Sequence, residues 1–175
     1  MLTKLDLCSM ALLKLGEKPL ASFEDASPAA NVARTLYDTI IENLLAGHPW
    51  RFARKKYELE KTTDGDFQIP ADVLRVIDCD AALYTITGNR IDAPVDSLRL
   101  SAISRVAAED FPPYFASAAA ARLAMEFCIP LTNDQNAFRN MAALFESELR
   151  VAKFIDSTTT PQIPNADFSL ISARY

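Results

Sequence analysis

The strongest constraint on the fold is an amphipathic segment that runs from Ser27 to Phe52. Ser27 is a favourable N-cap residue, and Pro28 suits the first helical position, where its missing N–H costs nothing. Apolar side chains then recur with the period of a helix, which predicts that one helical face lies in a core. These residues are Val32, Leu36, Tyr37, Ile40, Ile41, Leu44 and Leu45. Gly47 closes the pattern, so the helix is predicted over about residues 28–46.

Two aromatic residues, Trp50 and Phe52, follow directly after this helix. Large aromatic side chains contribute much of the energy of a core, and this position leaves them few places other than the interior. We therefore predict that both residues are structural anchors that join the second helix to the sheet.

Three further segments have the pattern of a helix. They are predicted over about residues 3–15, 113–129 and 134–155. The first opens with a capping box of Thr3 and Asp6 and ends at Gly16. The next is rich in alanine and is expected to end at Pro130, because proline disrupts a helix interior. The last carries an apolar stripe of Phe138, Met141, Phe145, Leu149 and Ala152.

Residues 52–104 have the pattern of strands and predict a small, mostly antiparallel sheet. The first strand reaches a turn at residues 62–66, and residues 67–69 are expected to return beside it. A buried strand within 71–81, a hairpin over 84–92 and a last strand near 98–103 follow. The predicted fold class is therefore α+β, a four-helix bundle with the sheet inserted between its second and third helices.

The domain is predicted to cover residues 1–155, followed by an extended C-terminal docking arm over residues 156–175. The arm begins with a Ser-, Thr- and Pro-rich stretch, and its apolar residues have no helical period. Such a segment is typical of one that becomes ordered on a partner. Its candidate docking residues are Ile163, Phe168, Leu170 and Ile171.

The composition limits the classes of partner. A net charge of −5 argues against an open duplex-DNA binder, which holds phosphates by neutralising them. The three cysteines are widely spaced and have apolar neighbours, which favours buried thiols in a reducing compartment. We find no secretory signal and expect no apolar run near the roughly 18 residues of a membrane span, so we predict a soluble chain without a membrane partner.

The residues show little sign of catalysis, and we predict no enzyme, metal or cofactor. The one histidine, His48, follows a helix and is more typical of a structural cap. The carboxylate pairs Asp64/Asp66 and Asp78/Asp80 fit solvated turns, although a glycosidase-type pair is the alternative.

Two surfaces are candidate interfaces. The basic cluster of Arg51, Arg54, Lys55 and Lys56 would suit nucleic acid, yet a solvated strand or a salt-bridged subunit face is the alternative. The small residues Ala118 and Ala121 permit close helix packing, either against the segment 27–47 of the same chain or against a neighbouring copy.

Four segments, taken in order, resemble a known family. They read LCSMALLKLGEKPLASFED, HPWRFARKKYEL, FQIPADVLRVI and DFPPYFASAAAARLAMEFCIPLT. Over about residues 5–155 the chain resembles the head-to-tail adaptors of tailed bacteriophages, the family of tail tubular protein A and of adaptors in gene transfer agents. Its P-W-x-F-A element contains Trp50 and Phe52, and its Ile69-Pro70-Ala71-Asp72 element makes Pro70 and Asp72 further structural anchors.

The resemblance implies a structural protein of the virion tail or neck, present in the host cytoplasm during assembly. It implies a ring, commonly dodecameric, that binds the portal protein and a downstream tail or nozzle protein. DNA would pass through its channel without sequence-specific binding. Two alternatives stay open, namely a helical nucleic-acid-binding regulator and a tail-associated carbohydrate hydrolase.

Overall fold

The computed structural model describes residues 1–158, and the predicted α+β class is confirmed for this part of the chain. Its helices are α1 (Lys4–Lys14), α2 (Pro28–Ala46), α3 (Pro113–Thr132) and α4 (Gln135–Thr158). Its strands are β1 (Arg54–Glu60), β2 (Phe67–Gln68), β3 (Val73–Cys79), β4 (Thr85–Thr87), β5 (Arg90–Asp92) and β6 (Ser97–Ser104). Short 3₁₀ turns cover Arg51–Ala53 and Ala108–Asp110.

Side-chain caps explain where the first two helices begin. The Thr3 hydroxyl accepts the Asp6 backbone N–H at 3.1 Å, and the Asp6 carboxylate accepts the Thr3 N–H at 2.8 Å. The Ser27 hydroxyl accepts the Ala30 N–H at 3.2 Å, with Pro28 at the first helical position. Each cap satisfies N–H groups that have no partner inside the helix.

The expected end of the third helix at Pro130 is wrong, because α3 continues to Thr132. Pro130 lies near the C-terminal end of α3, where the hydrogen bond lost with its missing N–H affects only the end of the helix. The helix stops at Asn133, whose φ of 51° and ψ of 27° are left-handed. Asparagine tolerates this conformation better than most residues, and the Asn133 N–H donates to the Ile129 carbonyl at 3.1 Å.

By length and composition alone, α3 is apolar enough to cross a membrane, which differs from the expectation that no such run exists. The helix is rich in alanine, and Arg122 and Glu126 are its only charged residues, so its mean hydropathy is high. More than half of the window is buried inside the protein, as in the core helix of a soluble protein. The finding is therefore weak support for a membrane span.

The strands form two antiparallel sheets rather than the single sheet that was predicted. In the first sheet the order is β1-β6-β3, and in the second it is β2-β5-β4. The expected return of residues 67–69 beside β1 is also wrong: one isolated bridge joins Lys61 to Phe67, and β2 pairs with β5. Pairing with β5 places Phe67 opposite Ile91, and both side chains are fully buried there.

Two hydrophobic cores result from this arrangement. The larger one lies among the helices, where α3 contacts α1, α2 and α4, and it also takes in Ile103 from β6. The smaller one lies between the sheets. It contains Leu59, Phe67, Ala81, Ile91, Ala93, Leu98, Leu100 and Ala102. The period-two alternation of β6 explains the division, because Leu98, Leu100 and Ala102 face this core while Ile103 faces the helical core.

The boundary predicted at residue 156 is wrong, since α4 extends to Thr158 and Asp156 is only 2% exposed. Asp156 continues the apolar stripe of α4 by one further step after Ala152, so it belongs to the packed face. The candidate docking residues of the arm lie outside the described residues. They are Ile163, Phe168, Leu170 and Ile171.

We predict that Trp50→Ala lowers the free energy of unfolding by roughly 3–5 kcal/mol, the range for truncating a large aromatic side chain in a core. Trp50 is fully buried, and its indole N–H donates to the Leu44 carbonyl at 2.9 Å. Urea denaturation measures the change. Tyr84→Ala is the control, because Tyr84 is an exposed aromatic residue. Equal denaturation midpoints for Trp50→Ala and the unmodified chain would show that Trp50 is no anchor.

Candidate functional site

The connection after α2 leads into a cluster of aromatic rings at the start of α3. The ring centroids of Trp50 and Phe115 are 5.0 Å apart, and those of Phe52 and Phe115 are 4.9 Å apart, both in edge-on geometry. Phe52 also contacts Phe111 and Tyr114. The two predicted anchors therefore pack on α3, whereas we had expected them to join α2 to the sheet. The 3₁₀ turn Arg51–Ala53 directs Phe52 toward α3 before β1 begins.

A buried carboxylate that the sequence analysis missed ties the end of α4 to this cluster. Asp156 accepts the Arg51 backbone N–H at 3.2 and 3.3 Å and the Tyr114 hydroxyl at 3.0 Å. His48 Nε2 lies 3.8 Å from the same carboxylate. One signal was present in the sequence, because Asp156 occupies the next position of the α4 stripe.

His48 lies beside Asp156 without being charged at neutral pH. Burial lowers the pKa of His48 below its ordinary value of 6.5, and the nearby charges of Lys153 and Arg75 act in the same direction. The Asp156 carboxylate raises the pKa of His48, but its effect is smaller than that of burial. The contact between His48 and Asp156 is thus not an ion pair at pH 7. This agrees with a structural role for the histidine.

The predicted anchor Asp72 lies in a second polar cluster, between the helices and the first sheet. Its carboxylate accepts the Tyr57 hydroxyl at 2.8 Å and lies 3.4 Å from Lys55 Nζ. The Tyr57 hydroxyl is also 2.6 Å from the hydroxyl of Ser104, which is fully buried. Because Tyr57 has one proton and gives it to Asp72, Ser104 must donate to Tyr57. The hydrogen bond from Tyr57 lowers the pKa of Asp72.

Arg105 connects this cluster to α2. Its backbone N–H donates to the Asp72 carbonyl at 2.7 Å, and its side chain pairs with Glu42 on α2 at 2.7 Å. Pro70 shapes the approach to the same point, since its carbonyl accepts the Val73 N–H at 3.0 Å where β3 begins. The Ile69–Asp72 element therefore fixes the sheet against the helices.

The structure does not bring the four residues of the basic cluster together as one patch. All four side chains are exposed, but alternation along β1 places Lys55 on the opposite sheet face from Arg54 and Lys56. Lys55 pairs with Asp72, and Arg51 precedes the strand in the 3₁₀ turn. Arg54 and Lys56 remain as a pair of exposed cations on one face.

The carboxylate pairs take structural positions. Asp64 and Asp66 lie 3.1 and 2.6 Å from the Arg90 guanidinium, which bridges them. Hydrogen bonds from Thr62 and Arg90 lower the pKa of Asp66. Asp80 accepts the Arg99 backbone N–H at 2.9 Å, while Asp78 is exposed on β3. This arrangement matches the prediction of polar turns more closely than that of an acid and a base.

The alanine face of α3 is buried within the single chain. Ala118 and Ala121 have no exposed surface, so the proposal that they meet a helix of a neighbouring copy is wrong. Small side chains allow close approach, and here the space is filled by the other helices, with α4 and α1 in contact with α3 besides α2. These residues therefore belong to the core.

In the part of the chain from residue 1 to residue 158, no group of three or more His, Cys, Asp or Glu side chains is placed to hold a metal ion. Cys8 and Cys128 are buried and Cys79 is half-buried, and all three are free thiols. No family model matches the chain, and no curated protein matches it. The resemblance to phage adaptors and the expected lack of a metal, cofactor or enzymatic activity thus stay predictions.

We predict that Tyr57→Phe destabilises the protein by about 1–3 kcal/mol, because it leaves the buried Ser104 hydroxyl without its partner. Thermal and urea unfolding measure the effect. Tyr84→Phe removes a hydroxyl from an exposed tyrosine and is the matched control, for which no change is expected. Equal stabilities for the two variants would mean that the cluster around Asp72 contributes nothing.

We also predict that His48 makes the protein less stable in mild acid. Because the pKa of His48 is lowered in the folded state, its contribution is fully present above pH 6.5 and is lost as the pH falls below that value. His48→Gln should therefore lose less stability than the unmodified chain between pH 7.5 and pH 5.5, roughly the range in which histidine titrates. Urea midpoints at the two pH values provide the comparison. Parallel losses would contradict the prediction.

Proposed function

We propose that this chain is a head-to-tail adaptor of a tailed bacteriophage or a gene transfer agent. In this proposal it is a non-enzymatic virion subunit without a cofactor that forms a ring, commonly a dodecamer, below the portal protein. A downstream tail or nozzle protein binds the other side, and DNA passes through without sequence-specific binding. The finer arrangement of the fold, a four-helix bundle with the sheets inserted between α2 and α3, belongs to the same proposal.

The observation that carries the proposal is the order of the four segments that resemble the adaptor family. Three of them take part in contacts on which the fold depends. HPWRF and DFPPYF supply the rings of the aromatic cluster, with Trp50 against Phe115. FQIPAD supplies Asp72, which Tyr57 and Lys55 contact. Residues that support the resemblance thus have physical reasons to occur together.

The surface properties support an assembly subunit. One uncharged stretch contains three exposed apolar residues, Leu83, Tyr84 and Ile86, and Leu83 is 75% exposed to solvent. Phe154 on α4 is 68% exposed. Exposed apolar groups of this size are typical of surfaces that meet a partner when they cluster, as they do around β4. The net charge of −5 fits a channel wall that does not hold phosphates.

The test is to image particles that carry the protein and to determine the mass of the purified chain in solution. We expect a closed ring below the portal, since an adaptor must follow the rotational symmetry of the structure it binds. A particle with one to three copies, or none, would end the adaptor proposal. Monomers in solution together with rings on the portal would show that the portal templates assembly.

A chain that ends at Thr158 is the matched comparison for this experiment. The docking arm, whose remaining residues 159–175 lie outside the described part, is proposed to attach the ring to the portal or to a neighbouring subunit. The shortened chain should therefore keep its melting temperature and fail to bind portal. If it melts far earlier instead, residues 159–175 belong to the fold and the arm is excluded, while the ring itself is still judged by the image.

The nucleic-acid-binding alternative has one observation in its favour, the exposed cations Arg54 and Lys56 on one face of β1. Binding of DNA by the purified protein that weakens with salt, and that is lost in the double variant Arg54→Ala/Lys56→Ala, would support it. Nothing in the described residues favours the carbohydrate hydrolase. Arg90 bridges one candidate pair, Asp64 and Asp66, and in the other pair Asp80 accepts the Arg99 backbone N–H while Asp78 is exposed.

A further inference from the structure

Few buried side chains hold the C-terminal end of α4 against the rest of the protein. Between residues 150 and 158, Ala152 and Asp156 are the two buried side chains. Val151 and Phe154 are large apolar residues of this segment, and both are exposed. The earlier part of α4 is different, since Phe145 is buried and Leu149 packs against the helical core. Apolar burial therefore secures the middle of α4 but contributes little at its end.

Asp156 ties this segment to the rest of the fold. Its carboxylate accepts hydrogen bonds from two separate parts of the fold, the backbone of Arg51 after α2 and the hydroxyl of Tyr114 at the start of α3. Arg51 is exposed and Tyr114 is half-buried, so water can reach both donors and replace the carboxylate if α4 moves away. Exchanging these bonds for bonds to water has a small net cost compared with opening an apolar core.

We propose that residues 152–158 form a releasable strap, which detaches from the domain while the rest of the fold stays intact, and that Asp156 is the group that holds it down. Once the Asp156 carboxylate is released, the last turns of α4 can unwind together from the helix end, so no hinge residue is needed. The free energy of such local opening lies well below that of global unfolding when few apolar contacts are broken. This proposal does not depend on the adaptor function.

Release of the strap has a defined consequence for the surface. It uncovers Tyr114 and His48, the side chains in contact with Asp156. It also removes Lys153 from the wall of a cavity of about 200 Å³ that Trp50 and Phe145 line as well. Aromatic surface that is covered in the closed form thus becomes accessible.

Amide hydrogen exchange of the full chain tests the proposal. The Arg51 N–H is a direct reporter because its acceptor is Asp156. We expect the Arg51 amide and the amides of residues 152–156 to share one protection factor. That value should be far below the protection of the α3 core around Phe115 to Phe127. Equal protection of the strap and the α3 core would overturn the proposal, since the end of α4 would then open through global unfolding alone.

Asp156→Asn weakens the hydrogen bonds that hold the strap and keeps the shape of the side chain. It should speed amide exchange of the strap and of Arg51 by roughly 5- to 150-fold. Exchange in α1 should stay unchanged. Acrylamide should also quench Trp50, the one tryptophan of the chain, more strongly in this variant. Glu146→Gln is the control, because Glu146 is an exposed carboxylate on the same helix.

A second variant keeps the test decisive if Asp156→Asn fails to fold. Tyr114→Phe removes one of the donors to Asp156 and retains the ring that contacts Phe52. It should accelerate exchange in the same residues by a smaller factor. A uniform rise over all helices in either variant would contradict the strap, because it would show that Asp156 contributes to global stability without controlling a local opening.

Discussion

The contact of Trp50 and Phe52 with Phe115 determines how α2 is placed relative to α3 in the helical core. Trp50 is fixed to α2 by the hydrogen bond from its indole N–H to the Leu44 carbonyl, while its ring lies against α3. A side chain that is bonded to one helix and packed on another sets the distance between them. All strands of residues 1–158 lie between Phe52 and Phe115 in the sequence, so the chain must leave and return at this place.

The first sheet satisfies that condition by pairing its first strand with its last. Arg54 lies opposite Ile103, so β1 starts where β6 ends, and the whole β region begins and finishes beside the aromatic cluster. Two carboxylates secure the two sides of this junction. Asp72 holds the side that faces the sheet through Tyr57, and Asp156 holds the side that faces α4 through Arg51. Each satisfies donors that would otherwise lack a partner inside the protein.

Local sequence signals were enough to predict most helices and strands, but not which strands pair with each other. The capping box at Thr3 and the serine cap at Ser27 fix helix starts through contacts within three residues, so they can be read from the sequence. The pairing of β2 with β5 joins Phe67 to Ile91, and nothing in the turn before β2 reveals that choice. It depends on a separate core between the sheets, which is a property of the folded chain.

The candidate site shows the same limit. Trp50 was predicted from its position, because a large ring directly after a helix must be covered, but its partner on α3 was not. Asp156 was placed in the arm, because it opens the Ser-, Thr- and Pro-rich stretch. Its burial depends on three groups distant in the sequence. Nor did the alanines of α3 reveal whether the same chain or another copy covers them.

The free edges of the two sheets bear on how copies of the chain meet in the proposed ring. An open edge invites pairing with another strand unless it is blunted. Here β1 carries charged residues such as Arg54 and Lys56, β3 is interrupted by two register shifts, and β4 is only three residues long. Each device hinders continuous pairing between strands. Contacts between copies would therefore depend on side-chain surfaces, such as the exposed apolar group at Leu83 and Phe154 on α4. Head-to-tail contacts between side chains close a ring when the rotation from one neighbour to the next divides a full turn, and they give an open fibre when it does not.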